Sequence, residues 1–304
     1  MRLRVGIIGA SGIGLVHARI YSEFGNDVVA ILSSTKLRSI EVSSNLKKHL
    51  NINVKPFYII EDFLKENLDL ISICSAPKLH FNHIISCFNY NIPVFCEKPL
   101  LDISKLNNEQ FFLQLKKIKN HKNRFIYVNT SNTVFVDSIM DYKKIENDFK
   151  NIRFEFFTNG PYKYLDIGLD LLPHAFSVLG HLLKENKIEN LDFDLTENKF
   201  KCNFRFGDTI VEFDLRQDVN GPKHMLFNFD GDEYIREQNG QGESYRVYLV
   251  HSNLNKKIIC EDPFKIHINN FINSINQNSN KDKYENAESI LKMTLDTINK
   301  ISQA

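Results

Sequence analysis

The chain has 304 residues, of which 42% are apolar and 25% charged, a composition typical of a folded protein with a buried core. Its net charge of +1 disfavours a nucleic-acid-binding protein, because such proteins carry a clustered basic excess. A chain of this length is predicted to form two domains, with one unusually large domain as the alternative.

The cysteines and the apolar segments indicate the compartment. An odd number of cysteines at irregular spacing predicts no disulfide framework and a reducing environment. They are Cys74, Cys87, Cys96, Cys202 and Cys260. The apolar run at residues 5–10 is short and broken by glycines, and no segment reaches the ~20 apolar residues of a membrane span. We therefore expect a soluble, cytoplasmic protein with no membrane partner.

Up to residue 128, short β-branched runs alternate with segments of helical period, which is typical of a parallel sheet covered by helices. The predicted strands are Leu3–Ile8, Asp27–Leu32, Val54–Tyr58, Leu70–Cys74, Pro93–Cys96 and Arg124–Val128. The helices between them are predicted near residues 13–24, 35–50, 60–66, 78–90 and 103–119. Residues 1–129 are thus predicted to form a doubly wound α/β domain.

A glycine-rich turn follows the first predicted strand and reads Gly9-Ala-Ser11-Gly12-Ile13-Gly14. Such a turn lets backbone N–H groups and a helix N-terminus approach a pyrophosphate. In the usual Gly-x-Gly-x-x-Gly spacing the middle glycine would stand at position 11, where this chain has Ser11, with Gly12 beside it. The position of the turn between a strand and a helix favours dinucleotide binding, and a turn that only packs helix on strand is the alternative.

The residues after the second predicted strand bear on the choice of dinucleotide. An acid at this place would bind both ribose hydroxyls and favour NAD. The chain instead has Ser33, Ser34, Lys36 and Arg38, two hydroxyls and two cations suited to a 2′-phosphate. We predict NADP over NAD, with solvated charges at a helix start as the alternative for the two cations.

After residue 129 the pattern changes to the period-two alternation of antiparallel strands. The segments are 151–158, 199–206, 209–216, 223–230 and 244–250, and amphipathic helices follow near 264–276 and 284–302. Residues 130–304 are predicted to form an α+β domain with a largely antiparallel sheet that binds the substrate. Seven phenylalanines on these strands predict that one face packs on helices and the other pairs with a second subunit in a dimer or tetramer, with a monomer whose outer face is mostly polar as the alternative. They are Phe154, Phe156, Phe204, Phe206, Phe213, Phe227 and Phe229.

Two further segments carry a resemblance to a known family. Ser75-Ala76-Pro77-Lys-Leu-His80 follows the fourth predicted strand, and Glu97-Lys98-Pro99 follows the fifth. With the glycine turn, and with Asn270-Phe271-Ile272 and Glu285-Asn-Ala287 in the late helices, they resemble the Gfo/Idh/MocA family of nicotinamide-dependent oxidoreductases. The resemblance implies a Rossmann domain and an often cis peptide before Pro99.

The resemblance also implies which residues contact the cofactor beside the glycine turn. They are Ser75, Ala76, Pro77, His80, Glu97 and Lys98. For Glu97, bracing of the turn is the alternative. The histidines and cysteines near these segments match no common zinc spacing, so we predict no metal site and expect core or cofactor-rim roles for His80, His83, Cys74 and Cys87.

The family's remaining catalytic element is an Asp-x-x-x-His at the start of a helix. Here Asp166-Ile-Gly-Leu-Asp170-Leu-Leu-Pro173-His174 offers two registers. We prefer Asp170 with His174, because proline is tolerated in a first helical turn, and this places Asp170 at the helix start. The alternative pairs Asp166 with Asp170 and replaces the histidine by an acid.

The resemblance implies a dehydrogenase or reductase that moves a hydride between the cofactor and a secondary alcohol or ketone carbon. The substrate would be a sugar, a cyclitol or a sugar nucleotide. His174 would accept the hydroxyl proton, Lys98 would donate to the substrate oxygen, and Asp170 would orient the substrate. Which of Lys98 and His174 takes the proton stays open. A non-catalytic regulator that senses dinucleotide and sugar, and an NAD-dependent glycosidase of the same fold, are the alternatives.

Overall fold

Six parallel strands form the first sheet, in the order β3-β2-β1-β4-β5-β6. They are β1 Arg4–Ile8, β2 Asp27–Leu32, β3 Lys55–Phe57, β4 Leu70–Ile73, β5 Val94–Cys96 and β6 Ile126–Val128. The computed structural model describes residues 2–104, 106–143, 148–184, 187–240, 244–277 and 282–303. The strand order reverses beside β1, as in a doubly wound Rossmann sheet, so the predicted fold of this half is confirmed.

Five helices and one 3-10 turn connect these strands. The helices are α1 Ile13–Glu23, α2 Lys36–Leu50, α3 Ile60–Leu64, α4 His80–Asn89 and α5 Asn108–Lys119, and the turn is Pro77–Leu79. The last helix begins five residues later than the predicted start at residue 103. Its start is set by a capping box, in which the Asn107 side chain accepts from the backbone N–H of Gln110 and the Gln110 side chain accepts from that of Asn107.

An eight-stranded sheet forms the second half, in the order β14-β13-β12-β11-β7-β10-β9-β8. Its strands are β7 Asn151–Thr158, β8 Ile188–Thr196, β9 Lys199–Phe206, β10 Thr209–Gln217, β11 His224–Phe229, β12 Asp232–Asn239, β13 Arg246–His251 and β14 Lys256–Cys260. The helices are α6 Thr133–Lys143, α7 Leu165–Leu182, α8 Pro263–Asn276 and α9 Tyr284–Ser302. The pairing is antiparallel except between β7 and β10, which confirms the predicted sheet. No helix in the described part of the chain is long and apolar enough to cross a membrane.

The chain divides into two compact units, and each consists of two segments. The first unit is Met1–Asn129 with Phe264–Glu288, and the second is Thr130–Pro263 with Ser289–Ala304. This differs from the predicted single boundary after residue 129. Helix α8 belongs to the first unit because its Ile268 and Phe271 are buried in one cluster with Phe95 and Tyr127.

The two faces of the second sheet differ in chemistry. The seven phenylalanines predicted to face helices all lie in or against the core that the sheet shares with α7. The opposite face carries ion pairs, among them Arg216 with Asp214 at 2.6 Å and Lys201 with Glu212 at 3.2 Å. Assembly of subunits through this face stays a prediction, which light scattering would test.

The five cysteines are free, and all but Cys74 are buried. Burial raises the pKa of the Cys87, Cys96 and Cys202 thiols, so these groups stay neutral at ordinary pH. Cys74 directly follows β4, beside the glycine turn, and is half-buried.

Candidate functional site

The turn between β1 and α1 depends on its glycines. Gly9 and Gly12 have φ values of +83° and +54°, which L side chains rarely adopt. A Cβ on Gly9 would lie 2.8 Å from the carbonyl oxygen of Cys74, and a Cβ on Gly14 would lie 2.3 Å from that of Gly9. The turn therefore packs α1 closely against the ends of β1 and β4. Position 11 lacks the usual glycine, and Gly12, one residue later, is the N-cap of α1.

A cleft of about 450 Å³ opens at the carboxyl ends of β1, β2 and β4. It is lined by seven of the residues predicted to bind the cofactor, namely Gly9, Ser11, Ser33, Ser34, Arg38, Ser75 and Ala76. Ser11 directly precedes the N-cap of α1, so the positive end of the helix dipole borders the cleft. In a sheet of this topology, ligands bind at the carboxyl ends where the strand order reverses. The residues present therefore fit a dinucleotide.

The other residues predicted to bind the cofactor do not line this cleft. They are Gly12, Ile13, Gly14, Lys36, Pro77, His80, Glu97 and Lys98. His80 is fully buried, and its two ring nitrogens lie 2.8 Å from the carbonyl oxygens of Ser75 and Pro99. Its burial assigns His80 a bracing role between two loops in place of the predicted contact with the cofactor.

Several side chains that line the cleft were not predicted from the sequence, among them Tyr58, Ile60 and Leu79, whereas His83, expected in the core or at the cofactor rim, does line it. His83 Nδ1 lies 3.0 Å from the hydroxyl of Ser75. Burial, and to a smaller extent the neighbouring His80, lower the pKa of His83 to about 4, so its ring is neutral at neutral pH. The sequence feature that indicates a place near the cleft is the position of His83 three residues after His80 on the same helix.

A buried ion pair lies beside the cleft. His17 on α1 is fully buried, with Nε2 2.9 Å from Glu97 Oε1 and Nδ1 2.7 Å from the hydroxyl of Ser72. Asn129 donates to the same oxygen of Glu97 at 2.8 Å. Burial alone lowers the pKa of His17, but Cys74 and Glu97 outweigh it and raise this pKa to about 10. Of the two roles predicted for Glu97, these contacts support bracing.

Burial alone raises the pKa of Glu97, but His17, followed by Asn129 and Lys98, lowers it below its usual value. The pair is therefore a charged imidazolium and carboxylate at neutral pH. On the other side of Lys98, the peptide bond to Pro99 is cis, as the resemblance implies. Lys98 thus stands between two anchored neighbours, Glu97 held by His17 and Pro99 held by His80.

Helix α7 begins earlier than predicted. It spans Leu165–Leu182, so Asp166 lies in its first turn and Pro173 in its interior. The preferred register had placed Asp170 at the helix start and the proline in the first turn. The helix continues through Pro173, which lacks a backbone N–H, because its apolar face is buried in the core along most of its length. Asp170 is therefore an interior helical residue.

Asp170 and His174 contact the second sheet. Asp170 Oδ2 accepts a hydrogen bond from Gln217 Nε2 at 2.7 Å. The ring of His174 packs edge-on against Phe156, with 5.0 Å between centroids. Asp166, Asp170 and His174 are each four residues apart and share a helix face, but Asp166 is exposed whereas the other two are half-buried. These contacts favour the register of Asp170 with His174.

A second cavity, of about 710 Å³, opens within the second sheet. Strand β11 pairs with β12 only as far as Leu226↔Ile235, while β11 stays paired with β7, and β12 with β13, beyond that point. The two strands therefore separate and leave what we call the sheet opening. Phe156 lines it and also contacts His174, so the sheet opening neighbours the α7 residues.

Within the described ranges, no three His, Cys, Asp or Glu side chains are grouped so as to hold a metal ion. The nearest candidates named from the sequence have other partners. Both ring nitrogens of His80 contact backbone carbonyl oxygens, and Nδ1 of His83 contacts the hydroxyl of Ser75.

Comparison with known proteins agrees with this geometry. Residues 3–128 match the model of the Gfo/Idh/MocA family, described as an oxidoreductase family with an NAD-binding Rossmann fold. The myo-inositol 2-dehydrogenase of Thermotoga maritima is 30% identical over 101 residues, which are 32% of this chain and 28% of that protein. The inositol 2-dehydrogenase of Acidothermus cellulolyticus is 33% identical over 102 residues, which are again 32% of this chain and 28% of that protein. The chain thus matches under a third of the length of these relatives.

Solved structures share the fold over nearly the whole chain. A scyllo-inositol dehydrogenase from Lactobacillus casei, with bound NAD(H) and scyllo-inositol, has a TM-score of 0.72 at 16% identity and covers 97% of this chain and 95% of its own. The UDP-N-acetylglucosamine 3-dehydrogenase of Acidithiobacillus ferrooxidans has a TM-score of 0.71 at 15% identity. The match covers 98% of this chain and 97% of that protein. The chain thus shares the fold of these structures, and residues 3–128, which include the glycine turn and the cleft, match the Gfo/Idh/MocA family of oxidoreductases.

Proposed function

We propose that the chain is an NAD(P)-dependent dehydrogenase or reductase that acts on a secondary alcohol or ketone carbon of an inositol, a sugar or a sugar nucleotide. The observation that carries this proposal is the cleft at the ends of β1, β2 and β4, bordered by the glycine turn and the N-terminus of α1. The inositol dehydrogenases that match the first unit, and the sugar-nucleotide dehydrogenase that shares the fold, support the substrate class.

Three side chains carry the proposed chemistry. A bound nicotinamide supplies the hydride acceptor or donor. A ring nitrogen of His174 accepts the hydroxyl proton of the alcohol, since imidazole titrates near neutral pH. Lys98 donates a hydrogen bond to the same substrate oxygen and stabilises the negative charge that develops on it. Asp170, held by Gln217, orients a substrate hydroxyl.

The test is a screen of inositols, sugars and sugar nucleotides with each dinucleotide, followed through the absorbance of the reduced nicotinamide. We expect net reduction or oxidation with at least one member of this set. Dinucleotide and sugar binding without turnover would instead assign a regulator. Turnover of a glycoside with retained cofactor and no net reduction would assign an NAD-dependent glycosidase.

We further propose that NADP is the preferred dinucleotide. Ser33, Ser34 and Arg38 line the cleft, and the first turn of α2, capped by the hydroxyl of Thr35, contains no acid. Arg38 is half-exposed and forms a 2.8 Å ion pair with Glu41, so its guanidinium is already directed by a neighbour on the same helix.

Replacing Arg38 with glutamine is expected to raise the Kd for NADPH about tenfold, the low end of the effect of a charged hydrogen bond, and to leave the Kd for NADH nearly unchanged. Lys36→Gln is the matched control, because Lys36 does not line the cleft. Calorimetric titration of both variants measures this. Tighter binding of NADH than of NADPH to the unmodified protein would contradict the NADP proposal.

A further inference from the structure

We propose that the sheet opening binds an anionic group of the substrate, a carboxylate or a phosphate, through Arg236 and Lys223. The inference rests on the proposed function, because Phe156 joins the opening to His174. It names the chemistry of the substrate more closely than the family resemblance does.

Several contacts hold the Arg236 side chain in place, but no described acidic side chain pairs with it. Its Nη2 donates to the side-chain oxygen of Gln238 and to the hydroxyl of Tyr245, the latter at 3.0 Å. Its guanidinium carbon lies 5.3 Å from the centroid of the Phe135 ring. Its Nε is buried without a hydrogen-bond partner, and it forms no ion pair with any described residue. A buried donor without an acceptor costs free energy, so a ligand oxygen here would bind favourably.

The remaining charges around the opening leave a positive excess. Two of the ionisable side chains that line it already have partners of opposite charge. His224 pairs with Glu155 at 3.2 Å, and Glu237 pairs with Lys257 at 3.4 Å. Lys223 lines the opening, is exposed, and has no ion pair within the described ranges. Among the described residues that line the opening, Lys223 and Arg236 are therefore the two charges that a ligand can neutralise.

The amide of Gln238 adds a further donor. Its oxygen accepts from both Arg236 and the Tyr245 hydroxyl, the latter at 3.2 Å, which fixes the orientation of the amide. The Nε2 of Gln238 is then left to donate to a ligand. Guanidinium, ammonium and amide N–H groups together select a ligand rich in acceptor oxygens. A neutral polyol would leave both cations uncompensated.

Aromatic side chains form much of the remaining wall. Phe156 and Phe157 on β7 and Tyr248 on β13 line the opening. Aromatic faces of this kind bury the C–H face of a pyranose or cyclitol ring. The rim is held in place by Asn159, whose amide donates to backbone carbonyl oxygens of Asp218 and Gly221. The site thus suits a ring that carries an anionic substituent.

The test is calorimetric binding of three probes to the full chain in the presence of saturating NADPH. The probes are myo-inositol, which is neutral, glucuronate, which carries a carboxylate, and UDP-N-acetylglucosamine, which carries a diphosphate. We expect one anionic probe to bind at least about tenfold more tightly than myo-inositol, and added salt to weaken its binding. The tighter of the two anionic probes identifies the source of the charge.

Arg236→Gln is expected to weaken binding of that probe at least about tenfold, and Lys223→Gln to weaken it severalfold. Arg205→Gln is the matched control, an exposed arginine of β9 that does not line the opening. If Arg236→Gln fails to fold in a thermal unfolding assay, the exposed Lys223 variant decides. Equal binding of neutral and anionic probes, or unchanged binding to the variants, would overturn the proposal. Because binding is measured without turnover, loss of activity toward every substrate would contradict the proposed function alone.

Discussion

Replacing Lys98 with alanine is expected to lower kcat by about 10²–10⁴-fold and to change the Kd of the dinucleotide by less than about twofold. Lys98 lies between two anchored neighbours, and its proposed role is to stabilise charge on the substrate oxygen. It does not line the cleft that is proposed to bind the cofactor, so the affinity of that cleft is expected to survive.

The measurement pairs steady-state kinetics on the substrate found by the screen with a dinucleotide titration of the same variant. Lys116→Ala, at an exposed position on α5, is the control for loss of one positive charge. An unchanged kcat would remove Lys98 from the mechanism. A fall in dinucleotide affinity that accounts for the lost activity would assign Lys98 to cofactor binding instead.

Replacing His17 with alanine is expected to lower the free energy of unfolding by about 3–5 kcal/mol, the range for breaking a buried ion pair. The variant leaves the Glu97 carboxylate buried with Asn129 but without its cation. Urea unfolding of the variant and the unmodified protein measures the difference. Adding Glu97→Gln to the variant removes the stranded charge and is expected to restore part of the loss. A single variant as stable as the unmodified protein would show that the pair contributes little.

The same pair predicts how stability depends on pH. The pKa of His17 rises from 6.5 to about 10 on folding, so the folded chain binds more protons between these values. The contribution of His17 is fully present below about pH 6.5 and is lost as the pH rises through about 10. Glu97, whose pKa is lowered from 4.5, contributes above that value and loses its contribution as the pH falls through its lowered pKa.

We therefore expect the free energy of unfolding to decrease from about pH 6.5 toward pH 10, and this decrease to be smaller in the His17→Ala variant. Urea unfolding at a series of pH values measures both slopes. The same slope in the variant and the unmodified protein would show that another group causes the alkaline loss.

The features that were predicted correctly from the sequence depend on properties of the local segment. Continuous apolar runs indicate the buried parallel strands, and the positive φ at Gly9 is a property of its own backbone. Strands β8, β12 and β14 were missed because β12 is largely polar and β8 and β14 are largely exposed, and each forms by pairing with neighbouring strands. The start of α7 was misplaced because packing of its apolar face outweighs the local effect of Pro173.

The parts of the site that sequence could not give depend on distant contacts. His17 has its role only through Ser72 and Glu97, which lie 55 and 80 residues away. Likewise, the amphipathic pattern of α8 predicts a buried face but does not specify the unit it packs against. Nothing in the sequence distinguishes Arg236 from other strand arginines, because only the structure shows that no described acidic side chain pairs with it.

The glycine turn and its cleft are proposed to bind a nicotinamide dinucleotide. Calorimetric titration of the chain with NAD⁺, NADH, NADP⁺ and NADPH tests this proposal most directly, with Gly14→Ala beside the unmodified protein. A Cβ at position 14 would lie 2.3 Å from the carbonyl oxygen of Gly9 and displace the turn. We expect at least one dinucleotide to bind and Gly14→Ala to weaken its binding about tenfold or more. No binding of any of the four to the folded, unmodified chain would contradict the proposal.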